Sequence, residues 1–276
     1  MTRGDRQRPG LVATDLDGTL LRSDGTISPR TVAALAAVEG AGVPLVFVTG
    51  RPPRWMHEVA EATGHHGVAV CANGAVIYDV HTEQVVASYP LAVDAALTAV
   101  RLLRDALPGV GFAVEHEGGF GHEPSYHPQW YDGDDVRIAA VEELLDGPPT
   151  KLLLRIEGLG ADAMLRTARE VLGDTVEVTH SNSRDGLVEV SASGVSKATT
   201  LAELCAERGL SAADVLAFGD MPNDLPLLAW AGTAYAVANA HPDVLAAVDR
   251  RTASNDDDGV ARILEEFFGP GSGAAA

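Results

Sequence analysis

The 276-residue chain sets 20 Lys and Arg against 39 Asp and Glu, a formal net charge of −19 with histidine neutral. That balance leaves no basic footprint for nucleic acid and no cationic face for anionic lipid, so neither is expected as a partner. A hydrophobic content of 46%, gathered in short ordered blocks, excludes a disordered chain.

Cys71 and Cys205 are far apart and show neither metal nor redox spacing, which fits a reducing compartment. Residues 1–10 are polar and arginine-bearing, without the apolar run of a secretory signal. No apolar stretch reaches the roughly 18 residues that span a bilayer. The expected setting is the cytoplasm, with residues 1–10 and the Gly/Ser/Pro/Ala tail 269–276 as flexible ends.

In chain order, Leu11 to Thr14 is a β-prone run that ends at Asp15. Ser28-Pro29 opens a helix with an N-cap serine and a first-turn proline, and Gly42 closes it. Val43 to Val48 reads as a buried strand that ends at Thr49-Gly50-Arg51, and a helix follows to about Gly64. The pair His65-His66 at its exit is expected to face solvent. Val68 to Cys71 is a third strand, ending at Asn73-Gly74. Strands and helices alternating in this way predict a parallel α/β sheet with right-handed crossovers. Ligands of such sheets sit at the carboxyl ends of the strands, where Asp15, Thr49 and Asn73 all fall.

The middle of the chain has another rhythm. A hairpin is expected from Ala75–Val80 and Gln84–Tyr89, a helix over Val93–Leu107, a strand within the Gly/His/aromatic stretch 109–130, and a helix around Val136–Leu145. A strand over Leu152–Ile156, a helix over Asp162–Leu172 and a strand pair at Val176–Thr179 and Leu187–Val190 complete it. The mixture suits an α+β insertion over 82–186. The α/β rhythm then resumes with a helix from Ser196 and strands at Val215–Phe218 and Thr233–Val237.

Two acidic sites follow apolar strands. In Asp15-Leu16-Asp17-Gly18-Thr19-Leu20, two carboxylates beside one cleft could divide the work of nucleophile or cation ligand and of proton carrier. The plain alternative is a solvated acidic turn, because loops favour Asp for turn reasons alone. In Gly219-Asp220-Met221-Pro222-Asn223-Asp224, Asp220 and Asp224 offer hard oxygen ligands; the alternative is a capped helix start, with Pro226 distorting or delaying the helix. Lys197 opens a helix after Gly194-Val195-Ser196, where the dipole disfavours a cation unless an anion shares the site; otherwise it is an exposed lysine. His116, His122 and His127 with Tyr126 and Trp130 gather in the insertion, as cleft lining or surface rather than a metal site.

Taken together, the order of these elements resembles the haloacid dehalogenase-like hydrolases, and within them the Cof-type subgroup with a large cap. The likeness runs from Leu11 to Phe268 and includes Cys71-Ala72-Asn73-Gly74-Ala75 and Ser254-Asn255-Asp256-Asp257-Asp258-Gly259-Val260. It implies a doubly wound α/β core over 11–81 and 187–268 and an inserted α+β cap over 82–186. It also implies that Asp15 is a nucleophile forming an aspartyl-phosphate and Asp17 the acid/base. Asp15, the Asp17 backbone carbonyl and Asp220 would hold Mg²⁺ with Asp224 close by, and Thr49, Gly50, Lys197 and Asn223 would hold the phosphoryl group. Arg51, Asn73 and Gly74 join the substrate-binding set, although Arg51 could equally form a salt bridge at its helix start. The implied activity is a Mg²⁺-dependent phosphatase for small phosphorylated metabolites, sugar phosphates first, as a monomer or homodimer. A phosphohexomutase-like phosphotransferase and a phospho-accepting receiver remain as rivals; Asp17 and the long insertion count against the receiver.

Overall fold

The structure, a computed structural model, describes residues 8–65, 67–128, 136–181 and 186–269. Along the chain run β1 (Leu11–Thr14), α1 (Pro29–Gly40), β2 (Leu45–Val48), α2 (Met56–Thr63), β3 (Val68–Cys71), β4 (Val76–Asp79) and β5 (Gln84–Ser88). Then come α3 (Val93–Ala106), β6 (Gly111–His116), β7 (Gly119–His122), β8 (Val136–Ile138), α4 (Val141–Leu144), β9 (Lys151–Arg155), α5 (Ala161–Leu172), β10 (Val176–Thr179) and β11 (Leu187–Ala192). The chain closes with α6 (Lys197–Glu207), β12 (Val215–Gly219), α7 (Leu225–Trp230), β13 (Thr233–Ala236), α8 (Pro242–Ala247) and α9 (Gly259–Phe268). Two compact units result: one holds the chain up to Val86 and again from Lys197, the other spans Ala87–Ser196.

The first unit is built on a seven-stranded sheet in the order β13-β12-β1-β2-β3-β4-β5. Neighbours from β13 to β3 run parallel, and β4 turns back antiparallel on β3. β1 (LVAT), β2 (LVFV) and β12 (VLAFG) are buried at every residue, the continuous apolar pattern of parallel strands covered on both faces. α1 starts where Ser28 Oγ accepts the Thr31 N–H at 3.0 Å, with Pro29 supplying the first-turn φ. Parallel pairing brings the carboxyl ends of β1, β2, β3 and β12 to one edge. Asp15, Thr49, Ala72 and Asp220 are the residues that leave those ends.

The second unit is a six-stranded sheet in the order β10-β11-β9-β6-β7-β8, antiparallel except for the parallel pair β7–β8. α3 and α5 pack together, and the core joins Leu103 and Val100 of α3 to Met164 and Ala168 of α5, to Phe112 and Val114 of β6, and to Leu152 and Leu154 of β9. Alternate residues of β6 and β9 thus face the helices, the period of two of a sheet with helices on one side.

Three expectations need correction. Residues 136–145 do not form one helix: Val136–Ile138 is a strand paired with β7, and only Val141–Leu144 is helical. The β-branched Val136 and Ile138 favour the strand, and the remaining apolar stretch is too short for more than one turn. Leu187–Ala192 lies not in the α/β unit but between β9 and β10 of the second sheet, and β5 (Gln84–Ser88) extends the first sheet, so the chain leaves the first unit after Val86 rather than 81 and re-enters it at Lys197 rather than 187. His65 is not solvent-facing. It is 1% exposed, with its ring 4.4 Å from that of Phe47 and Nδ1 2.9 Å from Glu39 Oε1.

His66 and Trp130 lie outside the described residues, as do 1–7 and 270–276 of the expected flexible ends. Among the described residues no helix is long and apolar enough to cross a membrane.

Candidate active site

Asp15 leaves β1 with its N–H donating to Phe218 O of β12 at 3.1 Å, so the backbone that carries it is tied to the neighbouring strand. Its Oδ1 accepts from Lys197 Nζ at 2.5 Å, and the same ammonium donates to Asp224 Oδ1 at 2.6 Å. Lys197 is the first residue of α6, and its side chain is completely buried. A cation at that helix start is sustained by two carboxylates, and the exposed-lysine alternative falls away. Burial disfavours the ammonium, but Asp15 and Asp224 outweigh it and raise its pKa.

Asp224 is set by the turn after β12. Its Oδ2 accepts the N–H groups of Asp220 and Met221, both at 3.0 Å, which leaves Oδ1 for Lys197. Pro222–Asp224 form a tight 3₁₀ turn, and α7 begins only at Leu225 with Pro226 in its first turn, where a missing N–H costs nothing. Asp220 Oδ1 accepts the Thr19 hydroxyl at 2.7 Å. Residue type alone gives Thr19 no role; its hydroxyl, four residues after Asp15, is the available signal.

Asp15, Asp220 and Asp224 bring one carboxylate oxygen each within 4.8 Å of one another, and all three residues are buried. One lysine does not balance them. Burial pushes the Asp15 carboxyl up to about 7, against the pull of Lys197 and with help from the Asp224 charge. Asp220 is raised well above the ordinary carboxylate range by burial and then by the charges of Asp15 and Asp224. A crowded set of hard oxygen donors short of positive charge fits a hard divalent cation. The Asp17 side chain is not in that set.

Asp17 faces Arg51 instead. Arg51 Nε donates to Asp17 Oδ2 at 2.7 Å and Nη2 to Oδ1 at 2.6 Å, a two-point pair of the salt-bridge kind held open for Arg51. The segment Thr49-Gly50-Arg51 is fixed by the Thr49 N–H on Val70 O (2.8 Å) and by Thr49 Oγ1, which accepts the Arg51 N–H (3.0 Å).

After β3 the backbone turns left-handed at two non-glycine residues, Ala72 (φ 51°) and Asn73 (φ 57°), and then at Gly74 (φ 107°). Such a run is costly. It is held by the Ala72 N–H on Arg51 O (2.9 Å), the Asn73 N–H on Thr49 O (3.0 Å) and the Thr200 hydroxyl on Gly74 O (2.8 Å). The strained turn presents Asn73 to Asn223, whose Nδ2 donates to Asn73 Oδ1 at 3.0 Å. Asn73 Nδ2 and Asn223 Oδ1 are buried and have no hydrogen-bond partner among the described residues. The expected residues Asn73, Gly74 and Asn223 are therefore neighbours, with one donor and one acceptor to spare.

Of the three histidines expected together in the insertion, His116 and His122 have separate partners. His116 Nε2 lies 3.0 Å from Leu144 O, His122 Nδ1 lies 2.7 Å from Glu123 O beside the Tyr126 ring, and His127 is exposed.

A family model described as haloacid dehalogenase-like hydrolase matches residues 12–264. Among curated proteins, the pyridoxal phosphate phosphatase YbhA of Escherichia coli is 28% identical over 92% of this chain and 97% of its own length. The 5-amino-6-(5-phospho-D-ribitylamino)uracil phosphatase YitU of Bacillus subtilis is 27% identical over 95% and 98%. Among solved structures, SMU.1108c of Streptococcus mutans superposes with a TM-score of 0.81 at 20% identity, covering 95% of this chain and all of its own, a likeness of fold.

Proposed function

Because the chain belongs to the haloacid dehalogenase-like hydrolases, we propose that it is a Mg²⁺-dependent phosphatase acting on small phosphorylated metabolites through an aspartyl-phosphate. The observation that carries this reading is the meeting of Asp15 with Lys197, Asp220 and Asp224 at the carboxyl ends of the parallel strands. Asp15, Asp220 and the Asp17 backbone carbonyl would hold Mg²⁺, with Asp224 beside them, and the bound ion would neutralise charge on the phosphoryl oxygens.

An Asp15 carboxylate oxygen attacks phosphorus while the bond to the ester oxygen breaks, and Asp17, as its carboxylic acid, passes a proton to the leaving alkoxide. Water then attacks the phospho-aspartate. Asp17 takes its proton, the bond from phosphorus to the Asp15 oxygen breaks, and inorganic phosphate leaves. Lys197 neutralises Asp15 and the phosphoryl group in turn. Thr49, Gly50 and the spare amide donor of Asn73 beside Asn223 are proposed to hold phosphoryl oxygens.

By its place between Val86 and Lys197, the second unit is the proposed cap that selects leaving groups. The relatives named above act on a phosphorylated pyridoxal and a phosphorylated ribityl compound; sugar and polyol phosphates are the substrate class we assign. Cys71 and Cys205 form no disulfide and are both buried, in keeping with a cytoplasmic setting.

The test is phosphate release from p-nitrophenyl phosphate and a panel of sugar and cofactor phosphates with and without Mg²⁺. The protein should turn over, and Asp15→Asn should be inert with its fold unchanged. Absence of turnover across the panel, or a long-lived phospho-aspartate in place of turnover, would remove the hydrolase reading.

A further inference from the structure

The pair between Arg51 and Asp17 uses both carboxylate oxygens of Asp17. The acid/base role proposed for Asp17, on which this inference rests, needs one of those oxygens first against the ester oxygen and then against water. The pair as it stands is therefore a closed state. Opening it costs less than opening a buried pair, because water reaches the Asp17 side chain, which is 56% exposed, and part of the Arg51 side chain, 21% exposed.

Arg51 has a second anion within electrostatic reach. Burial lowers its pKa, but the hydrogen bonds and charge of Asp17, with the Asp15 charge behind them, hold it above the ordinary value. Its backbone is pinned on both sides, the N–H on Thr49 Oγ1 and the carbonyl under the Ala72 N–H. The side chain can thus change partner without any movement of the loop. A guanidinium fork binds phosphoryl oxygens with the same two-point geometry as a carboxylate.

We propose that Arg51 is a substrate-operated latch: in the free protein it occupies Asp17, and the phosphoryl group of an incoming monoester takes the guanidinium over and releases Asp17 for proton transfer. Asp17 is then engaged only when a phosphoryl group is present. Arg51 binds in one state and positions in the other.

A double-mutant cycle tests this, with inorganic phosphate in the presence of Mg²⁺ as the probe and calorimetric titration as the readout. Asp17→Asn removes a negative charge and would tighten phosphate binding on that ground alone. The latch adds a further gain of about fivefold that appears only when Arg51 is present and vanishes in the Arg51→Ala background. Equal gains in the two backgrounds would overturn the proposal. With p-nitrophenyl phosphate, Arg51→Ala should raise KM about tenfold while kcat changes less than about threefold, and Arg51→Lys should recover part of the KM. A loss of kcat with KM unchanged would mean that Arg51 merely holds Asp17 in place, and also overturns the latch. Turnover of Asp17→Asn separates the two layers of the argument. Wild-type turnover removes the acid/base reading and the latch with it; lost turnover with a flat binding cycle removes the latch alone.

Discussion

Lys197 Nζ lies 2.5 Å from Asp15 Oδ1 and 2.6 Å from Asp224 Oδ1, and no side chain of the three is more than 8% exposed. One ammonium therefore holds together residues that the chain keeps 182 and 27 positions from it. Removing a single member of a buried ion group leaves uncompensated charge. Lys197→Ala should cost about 3–5 kcal/mol of stability by that argument, and turnover should fall by at least about a hundredfold, on the scale of losing one charge-stabilising group. Urea unfolding and phosphate release measure the two effects. A variant as stable as the parent would show that the three side chains do not share their charge in this way.

The acidic motifs were legible because their chemistry is local: an apolar strand, an aspartate at its end and a glycine turn lie within a few residues. What remained hidden depends on distant partners. The strand at Val136–Ile138 exists through pairing with β7, and Leu187–Ala192, which pairs with β10 as expected, is tied into the second sheet by β9 on its other edge. Neither the β7 nor the β9 pairing is written in the local pattern. His65 is buried because Phe47 and Glu39 close on it from other elements. The pairs Arg51–Asp17 and Asn73–Asn223 join residues 34 and 150 positions apart. Residue type nominated them for the site, but not for each other.

The proposed Mg²⁺ dependence should itself depend on pH. Asp15 titrates at about 7 in the fold against 3.8 for an unperturbed group. A raised carboxyl binds a proton in the folded state that the unfolded chain has already lost, so its contribution to stability is present below about 4 and is lost as pH rises through about 7. In metal-free protein the melting temperature should therefore fall between pH 5 and pH 8. Mg²⁺ competes with that proton, so it should raise the melting temperature more at pH 8 than at pH 5. Asp15→Asn should flatten this difference. A Mg²⁺ effect that does not change with pH would exclude Asp15 as a ligand.

Gly18 lies at φ 81°, and a Cβ there would come within 2.4 Å of Asp220 Oδ2. Its carbonyl also accepts the Asn239 side-chain amide at 2.7 Å, so the turn cannot easily move away. Gly18→Ala should lower stability by about 1–2 kcal/mol through the left-handed φ alone. The displaced carboxylate should weaken Mg²⁺ activation as well. Gly25, at φ 80° with open space around its missing Cβ, is the control. Gly25→Ala should show a similar stability loss and an unchanged Mg²⁺ requirement.

Asp220 and Asp224 stand four residues apart but should respond oppositely to the same change. Every oxygen of Asp224 accepts from a fixed donor: two backbone N–H groups on Oδ2 and Lys197 on Oδ1. An asparagine there must turn its NH₂ toward one of those donors. Asp224→Asn should therefore destabilise the metal-free protein by about 2–3 kcal/mol, the cost of a buried group left facing its own kind. Asp220 has one neutral donor, the Thr19 hydroxyl, and burial with the charges of Asp15 and Asp224 pushes its carboxyl well up. A neutral amide relieves that repulsion, so Asp220→Asn should leave metal-free stability at pH 8 equal or higher while removing Mg²⁺-dependent turnover. Urea unfolding with and without Mg²⁺ separates the two cases. If Asp220→Asn proves the more destabilising of the pair, the charge imbalance is not where the distances put it. If both variants keep their Mg²⁺ response, neither carboxylate holds the metal. Opposite signs would mean a division of labour within one turn: Asp224 committed to holding the fold around Lys197, and Asp220, crowded by Asp15 and Asp224, left to a cation.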